Sequence, residues 1–275
     1  MKISKTLYIR YLFTLLLPLS GLLQACDMIE YHPYDLDIDG ETEVNVRNIQ
    51  RIETALDGKK EFSFAVISDT QRWYDETEDA VADMNEKGGI DFVVHTGDLS
   101  DFGMKLEFEK QRDILNGLSV PYVCLLGNHD CLATGKEVFN RIFGEENFSF
   151  TAGDVLFICL NTNALEFDYS DAIPDFSFLE KLLKNLSPDI RRTIVAMHAG
   201  PYSEQFNNNV ARVFQLYLRQ FPGLQFCVYG HGHSIQVNDF FDDGILYYEC
   251  TCAKKRAYLR FTLKENEYLY EVVNY

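Results

Sequence analysis

Six residues of this chain carry side chains that bind hard or borderline metal ions, and each stands just after an apolar run. They are Asp69, Asp98, Asn128, His198, His231 and His233. Phe64-Ala65-Val66-Ile67 leads into Ser68-Asp69-Thr70-Gln71, and Val93-Val94 leads into His95-Thr96-Gly97-Asp98-Leu99-Ser100-Asp101. Val123-Cys124-Leu125-Leu126 leads into Gly127-Asn128-His129-Asp130, the run 193–197 into His198, and Phe226-Cys227-Val228-Tyr229 into Gly230-His231-Gly232-His233. Carboxylate, amide oxygen and imidazole together suit Zn, Mn or Fe, and are too rich in nitrogen for Ca or Mg alone. His231 and His233 flank Gly232, which permits a close backbone approach, so both can turn toward adjacent ions. Two ions about 3.5–4 Å apart, bridged by one carboxylate, can clamp a phosphate oxygen and hold hydroxide in line with phosphorus.

Such residues need rigid elements that end at a common site. The apolar runs read as buried strands over about 61–68, 90–95, 120–126, 193–197 and 224–229. Amphipathic helices are expected over about 75–87, 103–117, 135–143, 175–186 and 208–221, with strands at about 147–151 and 154–160. The tail reads as strands over about 234–240, 245–252, 256–263 and 267–273. The order is βαβαβ first and antiparallel pairing later. Ahead of the first strand, Val46, Ile49, Ile52 and Leu56 recur at helical spacing, and the folded domain is expected from residue 45 to 275.

These motifs resemble the calcineurin-like metallophosphoesterase family, whose signature is D-x-H, G-D-x-x-D, G-N-H-[DE], a lone His after an apolar strand, and G-H-x-H. Gly97-Asp98-Leu99-Ser100-Asp101, Gly127-Asn128-His129-Asp130, His198 and Gly230-His231-Gly232-His233 occur in that order, and the resemblance spans about residues 61–235. It implies a four-layer α/β/β/α sandwich, two mixed sheets flanked by helices. It also implies two divalent or trivalent metal ions, one held by Asp69, Asp98 and His233 and the other by Asp98, Asn128, His198 and His231. His129 would sit near the scissile phosphate, with Asp101 orienting it, and would stabilise developing charge or protonate the leaving alkoxide.

The first motif departs from the signature, since Asp69-Thr70-Gln71 has Gln71 where the family has His. Gln71 either coordinates or holds a metal-bound water, or leaves one ion loosely held, or marks an inactive site. The first reading is adopted because every other position is intact. Trp73 and Asp130 are candidates to touch the substrate, Trp73 by stacking on a ring. His95 alternates away from Thr96 on its strand and reads as a hydrogen-bonded structural residue. Asn161 and Asn163 read as loop caps, and the stretch 201–209 as a wall of the pocket.

The formal net charge of −17 repels nucleic acid at long range and favours a small phosphoester as partner. Of the seven cysteines, Cys124, Cys159, Cys227, Cys250 and Cys252 lie in apolar runs and read as core thiols. Residues 1–25 read as an export signal with Lys2, Lys5 and Arg10 at its start. Leu22-Leu23-Gln24-Ala25-Cys26 resembles a bacterial lipobox, which implies lipid on Cys26 and a membrane anchor facing the periplasm or cell surface. Residues 26–44, acidic and containing Asp35-Leu36-Asp37-Ile38-Asp39-Gly40, are expected to be a solvated tether. The expected activity is metal-dependent hydrolysis of a phosphate ester. A surface lipoprotein that binds a phosphorylated ligand without turnover, and a metal-dependent nuclease, are the alternatives.

Overall fold

Five strand segments are apolar on both faces, so each must be covered from two sides, and the architecture follows from that requirement. The computed structural model describes residues 35–275, and Cys26 with the export segment lies outside them. In chain order the elements begin with α1 (Val44–Leu56), β1 (Phe62–Ile67), α2 (Tyr74–Lys87), β2 (Phe92–His95), α3 (Lys105–Leu115) and β3 (Tyr122–Cys124). They continue with α4 (Gly135–Ile142), β4 (Phe148–Ala152), β5 (Val155–Leu160), α5 (Phe176–Lys184), β6 (Arg192–Met197), α6 (Ala211–Leu218) and β7 (Leu224–Tyr229). The tail holds β8 (Gln236–Asn238), β9 (Leu246–Glu249), β10 (Ala257–Leu263) and β11 (Tyr268–Asn274).

One sheet has the order β11-β10-β1-β2-β3 and the other β4-β5-β6-β7-β9-β8. Alternate residues of β1 serve two cores. Phe64 and Val66 face the second sheet, and Ala65 and Ile67 face helices. The inter-sheet core is rich in phenylalanine, with Phe64 and Phe92 stacked at 5.3 Å, Phe157 edge-on to Phe64 at 5.2 Å, and Phe226 stacked on Phe261 at 4.6 Å. Such ring pairs add contact energy beyond the area they bury. On the outer face of the first sheet, Ala80, Val81 and Met84 of α2, Phe108, Ile114 and Leu115 of α3, and Val138, Phe139 and Ile142 of α4 form the second core. Leu179 of α5 and Ala211, Phe214 and Leu218 of α6 do the same on the second sheet. The expected four-layer α/β/β/α sandwich is the fold of this chain.

Three details differ from the sequence reading. Strands β5, β6, β7 and β9 are mutually parallel, while β10 crosses over to pair antiparallel with β1 in the other sheet and β11 pairs antiparallel with β10 at its edge. Tail strands therefore complete both sheets and do not form one antiparallel unit. In α1, Val46 points to solvent and the buried face is Asn45, Asn48, Ile52 and Leu56. Asn45 Nδ2 donates to the Cys124 carbonyl at 2.8 Å and its Oδ1 accepts from Cys124 N–H at 2.9 Å, while Asn48 Nδ2 donates to the Tyr122 carbonyl at 2.8 Å. The two amides satisfy the open edge of β3, which would otherwise expose unpaired backbone groups.

The acidic segment just before α1 is docked rather than solvated, and the folded unit runs from Leu36 to Tyr275. Leu36 and Ile38 pack on the helix-side core. Buried Arg112 donates from Nη1 to the carbonyls of Asp39 at 2.6 Å and Glu41 at 3.0 Å, and Glu109 Oε1 accepts the Asp39 N–H at 2.7 Å. Lys105 Nζ lies 3.3 Å from the Asp39 carboxylate. Charge-assisted hydrogen bonds of this kind contribute about 1.5–3 kcal/mol each. Arg112→Met is therefore expected to speed amide exchange over residues 38–43 by about tenfold or more, with strands β1–β3 as protected as in the parent protein. Equal acceleration throughout the sheet would show that Arg112 supports the whole fold rather than this segment.

Candidate metal centre

The carboxyl ends of β1, β2, β3, β6 and β7 meet at one end of the sandwich, and their loops touch backbone to backbone. A Cβ on Gly97 would lie 2.8 Å from both Gly127 Cα and His198 Nδ1, and one on Gly127 would lie 2.1 Å from Asp98 N. No side chain fits there, so the spacing of the loops requires these glycines. The Asp69 N–H donates to the Gly97 carbonyl, and the N–H groups of Thr70 and Gln71 donate to the Asp98 carbonyl, each at 3.0 Å. Asp69, Asp98, His231 and His233 all adopt left-handed backbone, with φ of 53°, 61°, 71° and 53°. Non-glycine residues rarely take this conformation, and it folds each side chain back toward the others.

All six donor residues converge. Donor atoms of Asp69, Asp98 and His233 lie within 4.8 Å of one another. His198 Nε2 and His231 Nδ1 each lie 3.0 Å from Asn128 Oδ1, and His198 Nε2 lies 3.4 Å from Asp98 Oδ1. The protonation of these rings decides what the contacts mean. His198 Nδ1 must carry its hydrogen, because it donates to the Thr96 carbonyl at 2.9 Å. Nε2 is then bare, and burial pushes the ring down to about 4, so it stays neutral at neutral pH. His231 Nε2 faces Glu204 Oε1 at 3.0 Å, which leaves Nδ1 turned to Asn128. The His198 lone pair, the His231 Nδ1, an amide oxygen and a carboxylate thus face one volume, an arrangement a cation satisfies.

The acids make the same demand. Asp69 and Asp98 are both buried. Burial would raise Asp69, but His233, the His198 ring and the Ser68 hydroxyl outweigh it and bring its carboxyl down to about 2. Asp98 is pushed well above the usual carboxylate range by burial and by the charges of Asp69 and Asp130. Asp98 Oδ2 accepts from Gln71 Nε2 at 3.2 Å while Oδ1 faces His198, so its two oxygens look into the two halves of the cluster. Gln71 Oε1 is buried and accepts no hydrogen bond, and Asp69 Oδ1 has His233 Nε2 beside it at 3.1 Å. A buried oxygen without a donor, beside imidazole nitrogens and carboxylates, fits metal ions, and Gln71 stands close enough to take part.

A sequence model of the calcineurin-like phosphoesterases matches residues 62–234. The chain belongs to that family. It is 28% identical over 153 residues to a 3′,5′-cyclic-nucleotide phosphodiesterase from Nostoc sp., covering 53% of this chain and 56% of that protein. It is 28% identical over 170 residues to the DNA double-strand break repair protein Mre11 of Sulfolobus acidocaldarius, covering 56% of this chain and 41% of that one. The chain thus spans about half the length of the curated relatives it matches. In fold it resembles a dimetal phosphatase from Danio rerio, with TM-score 0.63, 14% identity, and coverage of 78% of this chain and 96% of that one. A purple acid phosphatase from yellow lupin gives TM-score 0.61 at 14% identity, covering 79% and 52%.

Within this phosphoesterase site, two expected roles change. Asp130 does not line the pocket. Its buried carboxylate accepts the N–H groups of Asp98 at 2.9 Å, Leu99 at 3.2 Å, Ser100 at 2.7 Å and Gly127 at 2.9 Å, and the Ser100 hydroxyl at 2.9 Å. No lone pair is left for a substrate, so Asp130 ties the second and third motif loops together. His129 Nδ1 is held by the backbone carbonyl of Asp101 at 2.9 Å, while the Asp101 carboxylate, 3.7 Å away, pairs with Arg72. Asp101 therefore orients His129 chiefly through its main chain. Trp73 is half-buried and its ring takes the Lys254 ammonium at 4.8 Å. His95 is structural as expected, accepting the Gly97 N–H on Nδ1 at 3.1 Å and meeting Thr70 Oγ1 through Nε2 at 2.8 Å. Asn163 holds the Leu126 carbonyl at 2.9 Å and is a loop cap.

Two functional acids escaped the sequence reading. Glu204 grips the outer nitrogen of His231, and Glu249 braces the His231–His233 loop. Glu249 accepts the Tyr229 hydroxyl on Oε2 at 3.2 Å and the Ser234 hydroxyl on Oε1 at 3.1 Å, and a Cβ on Gly232 would lie 2.1 Å from Oε1. Neither has a motif to mark it in a chain with 42 acidic residues. The role of Asp130 has a direct test. Asp130→Ala strands four buried N–H groups and is expected to cost about 3–5 kcal/mol in urea unfolding and to weaken metal binding at the same time. A variant of unchanged stability with only a raised KM would return Asp130 to the substrate.

Proposed function

We propose that the chain hydrolyses a small phosphate ester with two metal ions, one held by Asp69, Asp98 and His233 with Gln71 beside them, the other by Asp98, Asn128, His198 and His231. The observation that carries this reading is the convergence of His198 Nε2 and His231 Nδ1 on one amide oxygen, beside two buried carboxylates, in a phosphoesterase fold. When bound, such ions polarise the phosphoryl oxygens and make water nucleophilic near neutral pH. The donor set fits Mn, Zn or Fe. Everything else in the reaction falls to this chain's own side chains.

His129 has its Nδ1 fixed on the Asp101 carbonyl, which leaves Nε2 as the free nitrogen, and its side chain is 36% exposed at the mouth of the site. From there it can hand a proton to the departing alkoxide oxygen. Asp101 and Arg72 act as positioning residues, the first by holding the ring and the second by holding Asp101. The net charge of −17 supports a small ester over a polynucleotide. The export signal of residues 1–25 and the lipid attachment at Cys26 belong to the same proposal and rest on sequence alone. They place the enzyme outside the cytoplasm on a membrane.

Metal analysis and turnover on one preparation test the reading. Protein loaded with Mn, Zn or Fe is expected to hold two ions and to hydrolyse mono- or diester reporters, and a metal-free, inactive preparation after loading would leave a binding protein instead. His129→Asn is expected to lower kcat by about 10²–10⁴-fold with metal content unchanged. Loss of metal in that variant would place His129 among the ligands.

A further inference from the structure

A cleft of about 360 Å³ opens beside His231 and is lined by Tyr202, Tyr229, Phe240, Glu204 and Glu249. Its size is at the low end for small-molecule sites, about 300–1,000 Å³. Three aromatic rings border it, with Phe240 at 5.8 Å from Tyr202 and 6.1 Å from Tyr229 between centroids. The Tyr202 ring is exposed, and its left-handed backbone is pinned by Asn208 Oδ1, which accepts its N–H at 2.8 Å. Both acids are fixed from other directions, Glu204 by His231 and Glu249 by Tyr229 and Ser234. None of the described residues that line the cleft is a lysine or arginine. Of the cations near the site, Arg72 pairs with Asp101, Lys254 lies over Trp73, Lys255 is on the His233 carbonyl, and Arg212 and Arg219 line a neighbouring cavity that shares Tyr202 and Phe240, Arg219 being paired with Asp243.

Aromatic faces carry negative quadrupole potential, and a group of them with carboxylates nearby attracts an organic cation while repelling an anion. We propose that this cleft receives the alcohol portion of the ester and selects alcohols that bear a quaternary or primary ammonium group. The inference rests on the phosphoesterase reading, because it is the shared His231 that joins the cleft to the site of hydrolysis. The balanced reaction is ester plus water giving phosphate and the free amino alcohol. Water's oxygen bonds to phosphorus, the bond from phosphorus to the alcohol oxygen breaks, and that oxygen takes a proton. A neutral polyol would lack the ring contacts, and a second phosphate would meet the two carboxylates.

Binding is tested on the full chain with choline and its uncharged isostere 3,3-dimethylbutanol. Saturation-transfer NMR is expected to give choline a Kd at least about tenfold below that of the isostere. Tyr202→Leu, a change at an exposed ring, should erase that difference without moving Tm. Equal binding of the two probes, or a preference that survives Tyr202→Leu, overturns the proposal. Turnover is read separately: the metal-loaded protein should favour phosphocholine over 3,3-dimethylbutyl phosphate by at least about tenfold in kcat/KM. A stronger preference for a nucleoside monophosphate would make the cleft a base-stacking site and overturn the ammonium assignment. Selective choline binding with no turnover of any phosphoester would remove the hydrolase reading and uphold the cleft's.

Discussion

The site depends on one buried carboxylate. Asp130 gathers four main-chain N–H groups and a hydroxyl from two loops that follow different strands. Those bonds fix the backbone that carries Asp98 on one side and Asn128 on the other. The close packing of Gly97 against Gly127 is the steric counterpart of the same constraint, since any larger residue would force the loops apart. Asp98 reaches back across this junction, its Oδ1 accepting the N–H of His129 at 2.9 Å. The two aspartates thus clamp each other's loops, and the metal donors inherit their positions from that clamp.

Such a junction concentrates negative charge out of contact with water. Asp69, Asp98 and Asp130 are all buried. Isolated buried carboxylates cost several kcal/mol each, so the arrangement is sustainable only with compensating donors or cations. Asp130 is compensated by its hydrogen bonds. Asp69 takes the His231 N–H on Oδ2 at 3.1 Å and His233 Nε2 beside Oδ1 at 3.1 Å. Asp98 has weaker support, and its raised proton affinity is the clearest sign of an unmet demand for positive charge. The scaffold that organises the donors is therefore also what gives them affinity for a cation.

The parts of this structure legible in sequence are those in which one residue's chemistry decides its place. Strands β1 and β6 could be read because they are covered on both faces, which leaves long apolar runs that end abruptly in polar ligands. The ligands could be read because carboxylates and imidazoles at those ends have few other uses. What could not be read involves groups that every residue has or partners far along the chain. The atom that holds His129 is a main-chain carbonyl, which leaves no mark in composition. Asp130 sits in a motif, yet only the fold reveals that its partners are amides of another loop 30 to 32 positions away. The docking of residues 36–43 rests on Arg112 and Lys105, some 66 to 73 positions later, so an acidic segment that reads as solvated is ordered by buried cations far along the chain. In α1 the apolar period pointed to Val46, but the edge of β3 needed amide partners more than it needed a methyl group.

Left-handed backbone at four of the donors ties fold to chemistry. Each such residue costs about 1–3 kcal/mol and persists only where its surroundings over-determine it. Here the surroundings are specific: the Gly97 carbonyl on the Asp69 N–H, the Asp69 carboxylate on the His231 N–H, and the Lys255 ammonium and Thr251 hydroxyl on the His233 carbonyl. The strain is thus sustained by hydrogen bonds within the protein itself. Glu204 and Glu249 extend this logic outward from His231 and His233 to the cleft wall. The same acids that steady the ligand loop set the charge of the adjoining space, so binding preference in that cleft and geometry at the centre cannot vary independently.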